Sequence, residues 1–158
     1  MCEIDTGGDW GDYRPEVLWL LHDIVDTYCA MTGRENFPAL LVKNRADGIE
    51  PMAAYKPCNG RVVIYLATQG TAYWAQIAYQ LAHELTHVHA NFTAQRDHEF
   101  KWIEEALCEL ASWCLLHCLA TCWQTSADPA RHRFAPNLRR YVQAVSYTHL
   151  TLPTTSRV

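Results

Sequence analysis

Residues 72–90 read AYWAQIAYQLAHELTHVHA, and their pattern predicts the helix around which the rest of the chain is organised. The apolar residues recur at intervals of three and four, which is the spacing of one buried helix face. Polar residues, two histidines and a glutamate among them, lie on an adjoining face. The predicted buried stripe consists of Trp74, Ile77, Ala78, Leu81, Leu85 and Val88, and the polar face of Gln76, Gln80, His83, Glu84 and His87.

The polar face of this helix contains the motif His83-Glu-Leu-Thr-His87. Residues four apart lie on the same side of a helix, so His83 and His87 can offer imidazole nitrogens to one ion. Glu84 lies beside that ion without having to bind it. Two zinc ligands with a general base between them is the arrangement found in metallohydrolases. Five residues alone match by chance in some sequences, so the surrounding sequence has to supply a third ligand.

The next predicted helix spans residues 98–123, and its stretch 102–109 carries three carboxylates in a mostly apolar segment. Such carboxylates are costly to bury unless they are paired or bound to metal. Glu105 is the predicted third zinc ligand. Glu109, one turn later, is predicted to accept the remaining ring N–H of a liganding histidine. Glu104, His98 and Asp97 remain alternatives for the third ligand.

These motifs resemble those of the gluzincin (thermolysin-like) zinc metallopeptidases. The family's second motif, Glu-x-x-x-Asp on a following helix, is matched by Glu105-x-x-x-Glu109, with Glu in place of Asp. The resemblance covers residues 62–113, about a third of the chain. It implies that His83, His87 and Glu105 bind zinc, that Glu84 is the base and that Glu109 supports a ligand. It also implies a minimal zincin core, a small sheet followed by two active-site helices.

The function expected from these residues is zinc-dependent hydrolysis of peptide bonds. Zn²⁺ lowers the pKa of a bound water towards about 7, and Glu84 would carry the proton to the leaving nitrogen. The edge strand of the sheet, expected within residues 52–67, would bind an extended substrate by strand addition. Two alternatives stay open: a catalytically inactive zinc-stabilised binding domain, and a hydrolase of non-peptide amides. Candidates for an oxyanion donor are Tyr55, Arg131, His132 and Tyr141.

The remaining patterns predict an α+β fold with a small mixed or antiparallel sheet, packed on an N-terminal helix and the two active-site helices. The N-terminal helix should run from Pro15 to Gly33, and Asn59-Gly60 should form a hairpin turn between strands. Residues 1–13 are expected to be loose. The helix over 98–123 is expected to be deeply buried, and Pro136 to open a last helix.

Composition limits the classes of partner and compartment. A net charge of −4 without a Lys/Arg-rich run disfavours nucleic-acid binding. The N-terminus lacks a signal-peptide pattern and no continuous apolar run approaches a membrane span, so we expect a cytoplasmic protein without a membrane partner. The seven cysteines should then be thiols, and a buried free cysteine is a common small core residue. The oligomeric state stays open.

The last residues of the chain look foreign to the fold. Residues 145–154 match the translation of a transposon sequencing adapter, and residues 155–158 would be read-through beyond it. We therefore expect one domain over residues 1–144 that is cut short at its C-terminus, followed by a scar over 145–158.

Overall fold

A mixed four-stranded sheet and four helices make up the part of the chain that the computed structural model describes, residues 2–35, 37–45, 50–54, 56–91 and 99–151. The predicted α+β class and the small mixed sheet are confirmed. In chain order the elements are β1 (Ile4–Thr6), a 3-10 segment (Gly8–Tyr13), α1 (Arg14–Thr32), β2 (Leu40–Asn44), β3 (Met52–Ala53), β4 (Val62–Leu66), α2 (Trp74–Asn91), α3 (Lys101–Gln124) and α4 (Pro129–Thr151).

The strands lie in the order β1-β2-β4-β3, so β3 is at one edge of the sheet. The pairs β1–β2 and β2–β4 are parallel, whereas β3 runs antiparallel to β4 through the predicted hairpin. Asn59 and Gly60 both have positive φ, 50° and 77°, which is the backbone of a two-residue turn that matches strand twist. The Asn-Gly signal is therefore confirmed, although β3 is only two residues long.

The N-terminal residues are ordered, and the prediction that residues 1–13 are loose is wrong. Strand β1 pairs with β2, and the indole N–H of Trp10, which is 2 % exposed, donates to the carbonyl of Val42 at 3.2 Å. Arg14 holds Asp5 at 2.7 Å. The many glycines and aspartates of this segment suggested a loop. A three-residue strand and the buried side chain of Trp10 are nevertheless enough to hold the segment against the sheet.

Helix α1 has the predicted ends. A proline stands in its first turn, where a missing N–H costs nothing, and Gly33 ends it in the left-handed conformation with φ of 69°. Its buried side packs on α2 and α3. An aromatic cluster takes one ring from each helix, with centroid distances of 4.9–6.2 Å: Trp19, Trp74, Trp123 and Phe134.

Helix α3 is buried on one side only, so the prediction of a deeply buried helix is wrong. It packs on α2, α4 and α1, but Trp102 is 70 % exposed, and Leu107 and Leu110 are each more than half exposed. By length and composition alone α3 could cross a bilayer, a test that the core helix of a water-soluble protein also passes. The buried side of α3 is the side that packs on α1, α2 and α4.

Helix α4 begins at Pro129, seven residues before the predicted start, and Pro136 lies inside it. The cause is Asp128, whose carboxylate accepts the backbone N–H of Ala130 at 2.8 Å and so caps the helix. Arg131 in the first turn then binds Asp23 of α1 at 2.9 Å. The helix runs on to Thr151, into the segment predicted to be a scar, while residues 152–158 lie outside the described part of the chain.

The turn at Gly60 gives a direct test of the hairpin. Gly60→Ala should lower the free energy of unfolding by about 1–2 kcal/mol, because an L-residue in left-handed backbone is strained. No heavy atom lies within 4 Å of the added Cβ, so the loss should come from the backbone alone. Urea denaturation measures it. Gly70→Ala is the control, since a Cβ there meets only the Tyr73 ring at 3.8 Å. Equal losses in the two variants would contradict the turn assignment.

Candidate metal centre

Helix α2 presents His83, Glu84 and His87 because its apolar stripe fixes its rotation. Leu81 and Leu85 of that stripe are fully buried, and the two imidazole rings lie with centroids 5.0 Å apart. The side-chain amide of Gln80 binds both the N–H and the carbonyl of Ala67, at 2.9 and 3.2 Å, and so ties α2 to the end of β4. The helix cannot turn without breaking these contacts.

Helix α3 brings Glu105 to both histidines. Its Oε2 atom lies 3.2 Å from Nε2 of His83 and 3.7 Å from Nε2 of His87. The two Nε2 atoms thus face one carboxylate oxygen across the interface between α2 and α3. Glu105 is the residue predicted from the sequence to be the third ligand, and its carboxylate lies near both histidines.

The other ring nitrogens face different carboxylates. Nδ1 of His87 hydrogen bonds to Oε1 of Glu104 at 2.6 Å. Nδ1 of His83 lies 3.7 Å from Oε1 of Glu109, and the Tyr79 hydroxyl donates a hydrogen bond to Glu109. A carboxylate hydrogen-bonded to Nδ1, as Glu104 is to His87, favours the tautomer in which Nε2 is the electron-pair donor. Glu109 is thus near His83, as predicted. The contact predicted for Glu109, a carboxylate hydrogen-bonded to a histidine ring, is instead made by Glu104 with His87.

A cysteine completes the surroundings of the histidine pair. One ligand atom each from His83, His87 and Cys108 lies within 4.8 Å of the other two, a group able to hold a metal ion. Cys108 is fully buried, whereas the side chain of Glu105 is 42 % exposed. Burial, and after it the charge of Glu105, raises the pKa of the Cys108 thiol.

Glu84 is a buried carboxylate, only 4 % exposed. The backbone N–H of Ala53, on edge strand β3, hydrogen bonds to it. Burial raises the pKa of Glu84 to about 7, although His87 and the Ala53 hydrogen bond act in the opposite direction. A carboxyl group with a pKa near neutrality both accepts and donates a proton at physiological pH, which is what a general base requires.

Burial and then the charge of His87 lower the pKa of His83, which favours the neutral imidazole that binds metals.

Comparisons of this chain with protein-family models, with curated proteins and with solved structures find no match. The resemblance to the gluzincins therefore depends on the motifs in residues 62–113.

The other sequence candidates divide into three groups. His98, Asp97 and Tyr55 lie outside the described residues. Arg131 binds Asp23, and His132 is exposed on α4. Tyr141 lies near the centre, since its ring packs on Tyr79 at 5.9 Å and the charge of Glu109 adds to the effect of burial in raising its pKa.

Three contributors to this site were either missed in the sequence or given another role there. Tyr79 is one turn before His83, and Cys108 is three residues after Glu105. Glu104 was considered only as an alternative ligand. Helical spacing placed all three near the motif, but only the packing of α2 on α3 shows which side chains meet.

The burial of Glu84 predicts a pH-dependent stability in chelator-treated protein. Because its folded pKa is raised, the folded state holds the proton more tightly than the unfolded state, so this carboxyl lowers stability as pH rises from about 4.5 to about 7. Glu84→Gln should therefore gain stability relative to wild type between about pH 5 and about pH 8.5, on the order of 3 kcal/mol, since one pKa unit is about 1.4 kcal/mol.

Urea denaturation at the two pH values measures this gain. Glu35→Gln, which removes an exposed carboxylate next to the end of α1, is the control and should change stability by less than about 0.5 kcal/mol at either pH. A gain for Glu84→Gln that is the same at both pH values would contradict the buried, proton-holding state of Glu84.

Proposed function

We propose that this chain is a zinc-dependent hydrolase of peptide bonds with a zincin-like active site. The observation that carries the proposal is the position of one Glu105 oxygen opposite Nε2 of both His83 and His87, with the buried carboxylate of Glu84 one residue from His83. A pair of neutral imidazoles with a carboxylate is a ligand set of catalytic zinc sites.

The donor chemistry of the site fits zinc better than a hard cation. Zinc binds imidazole nitrogen, carboxylate oxygen and thiolate sulfur, and all three types converge here. His83, His87 and Glu105 would hold the ion, and Glu104 and Glu109 would orient the imidazoles through Nδ1. When bound, zinc supplies a Lewis acid that makes water a better nucleophile near neutral pH.

The proton transfers fall to Glu84. Its carboxylate would take a proton from the attacking water and deliver it to the leaving nitrogen. The hydrogen bond from Ala53 ties this carboxylate to edge strand β3. A peptide added to that strand in an extended conformation would therefore have its backbone close to the base.

A cavity that shares no lining residue with the metal centre is connected to it through two tyrosines. It has a volume of 620 Å³ and lies between the start of α2 and α4. Its walls include Tyr73, Gln76, Phe134, Arg140 and Tyr141, and Tyr141 packs on Tyr79, which in turn binds Glu109. An aromatic wall with polar groups on it is typical of sites that select a side chain.

A second candidate function is a zinc-stabilised binding domain. The observation that favours it is the buried thiol of Cys108 beside both histidines, because structural zinc sites are closed by four protein ligands and often include cysteine. Glu84 favours the hydrolase, since a purely structural site has no use for a base with a pKa of about 7. A hydrolase of non-peptide amides would use the same residues on another substrate.

The first test combines metal content with activity. Wild-type protein should bind about one zinc per chain and cleave members of a peptide library. Glu84→Gln should keep the zinc and lose at least about a hundredfold in kcat/KM, because a positioned base contributes about 10²–10⁴-fold. Mass spectrometry of the library and elemental analysis provide the two readouts. Zinc binding without cleavage of peptides or simple amides by wild type would reject the hydrolase in favour of the binding domain.

The second test separates ligands from the groups that orient them. Glu105→Ala should weaken zinc binding more than Glu104→Gln, for which we expect a loss of about 10–100-fold, the usual cost of an outer partner. Competition with a chromophoric chelator measures both. Glu16→Gln on α1 is a matched control in an exposed position and should bind zinc as wild type does. Unchanged affinity in Glu105→Ala would remove Glu105 from the ligand set.

A further inference from the structure

Cys108 stands on the buried side of the histidine pair, where the proposed mechanism gives it no part. We propose that Cys108 is a metal ligand, so that the ion is held by His83 and His87 between a carboxylate on its open side and a thiolate on its buried side. This inference rests on the proposed metal centre but not on hydrolysis, and the two can fail separately.

The spacing of the donor atoms suits a single ion. The ligand atoms of His83, His87 and Cys108 all lie within 4.8 Å of one another. Around a tetrahedral zinc with bonds of about 2.0–2.3 Å, nitrogen and sulfur ligands stand about 3.4–3.6 Å apart. Closing onto an ion therefore requires these atoms to approach one another by at most about 1.4 Å.

The backbone beneath Cys108 is fixed with respect to the histidine helix. The hydroxyl of Ser112, which is fully buried, lies 2.9 Å from the carbonyl of Cys108 and 3.0 Å from the carbonyl of Tyr79. One hydroxyl thus joins α3 to α2 at the turn that carries each of these residues. His83 is one turn after Tyr79, so this contact holds the thiol and the imidazole in register. Such preorganisation lowers the cost of binding an ion.

The two sides of the site differ in exposure, and this decides what the thiolate would add. Cys108 is fully buried, whereas the side chain of Glu105 is 42 % exposed and can exchange with water. A buried thiolate competes poorly for hard cations such as Mg²⁺ and well for Zn²⁺, Co²⁺ or Cd²⁺. Cys108 would therefore set the metal preference of the site. With Glu105 also bound, the ion would have four side-chain ligands, so water could bind only as a fifth ligand or in place of Glu105.

Cobalt(II) absorption tests this ligand directly, because a cysteine thiolate bound to Co²⁺ gives an intense sulfur-to-cobalt charge-transfer band that imidazole and carboxylate ligands do not give. Metal-free protein, kept reduced, is titrated with Co²⁺ up to about one equivalent. Wild type should show the band together with the weaker visible bands of bound cobalt. Cys108→Ser, which is nearly isosteric, and Cys108→Ala should keep the visible bands and lose the charge-transfer band.

The affinity for Co²⁺ provides the second readout. The matched control is a substitution at Cys118. Loss of the thiolate should weaken Co²⁺ binding by about tenfold or more, at least the effect of losing an outer partner. Cys118, half-buried on the same helix, is ten residues further along, and Cys118→Ser should behave as wild type in both measurements. Circular dichroism checks that each variant is folded, and the two Cys108 variants together guard against loss of folding in one.

The outcomes separate the two proposals. Cobalt bound by wild type without a charge-transfer band, or with a band that persists in both folded Cys108 variants, would overturn the role of Cys108 and leave the histidine site standing. No binding of Co²⁺ by wild type would overturn both. A Cys108-dependent band in a protein that hydrolyses no peptide or amide would support the ligand and reject the proposed activity.

Discussion

The interface between α2 and α3 has to accommodate several carboxylates beside two imidazoles with limited access to water, and the chemistry of the molecule depends on this constraint. Glu84, Glu104, Glu105 and Glu109 all lie at this interface. Two like unit charges about 4 Å apart near a protein surface repel each other by about 4 kcal/mol. Neighbouring carboxylates are therefore stable only if protons or a cation offset this repulsion. Burial is the main cause of the raised pKa of Glu84, and the charge of Glu105 adds to it. A divalent ion between His83 and His87 would offset the repulsion among the carboxylates more strongly.

The rest of the fold holds the two helices in the register that this interface needs. Gln80 fixes α2 to the end of β4, and Ser112 joins α3 to α2 beneath the histidines. The four helices also contact one another through the aromatic cluster of Trp19, Trp74, Trp123 and Phe134. Such contacts limit how far the two helices can shift against each other, which a metal site requires more strictly than stability does.

Much of the fold could be predicted from local patterns. The apolar stripe predicted α2, Pro15 and Gly33 marked the ends of α1, and Asn59-Gly60 marked the hairpin, because each of these signals acts over a few residues. Errors arose where a distant partner decides the outcome. Strand β1 forms because β2 is beside it, and α3 is only half covered by its neighbours. The start of α4 is a different case, since the cap from Asp128 is a local signal that was overlooked in favour of Pro136.

In the candidate site, too, local spacing predicted some features and the packing of distant elements decides the others. Helical spacing was enough to nominate His83, Glu84, His87, Glu105 and Glu109. Which nitrogen faces which carboxylate depends on how α3 packs on α2, and so do the roles of Glu104 and Cys108, since residues three and four apart share a face without sharing a partner.

X-ray absorption at the zinc edge tests whether His83 and His87 bind the metal, because imidazole rings bound to zinc give a multiple-scattering pattern from which their number can be determined. The protein would be loaded with about one equivalent of Zn²⁺, the stoichiometry of a single site. We expect two imidazole ligands at about 2.0 Å together with oxygen or sulfur neighbours. A spectrum with oxygen neighbours alone, or with sulfur and no imidazole, would show that His83 and His87 do not bind the metal and would contradict the account.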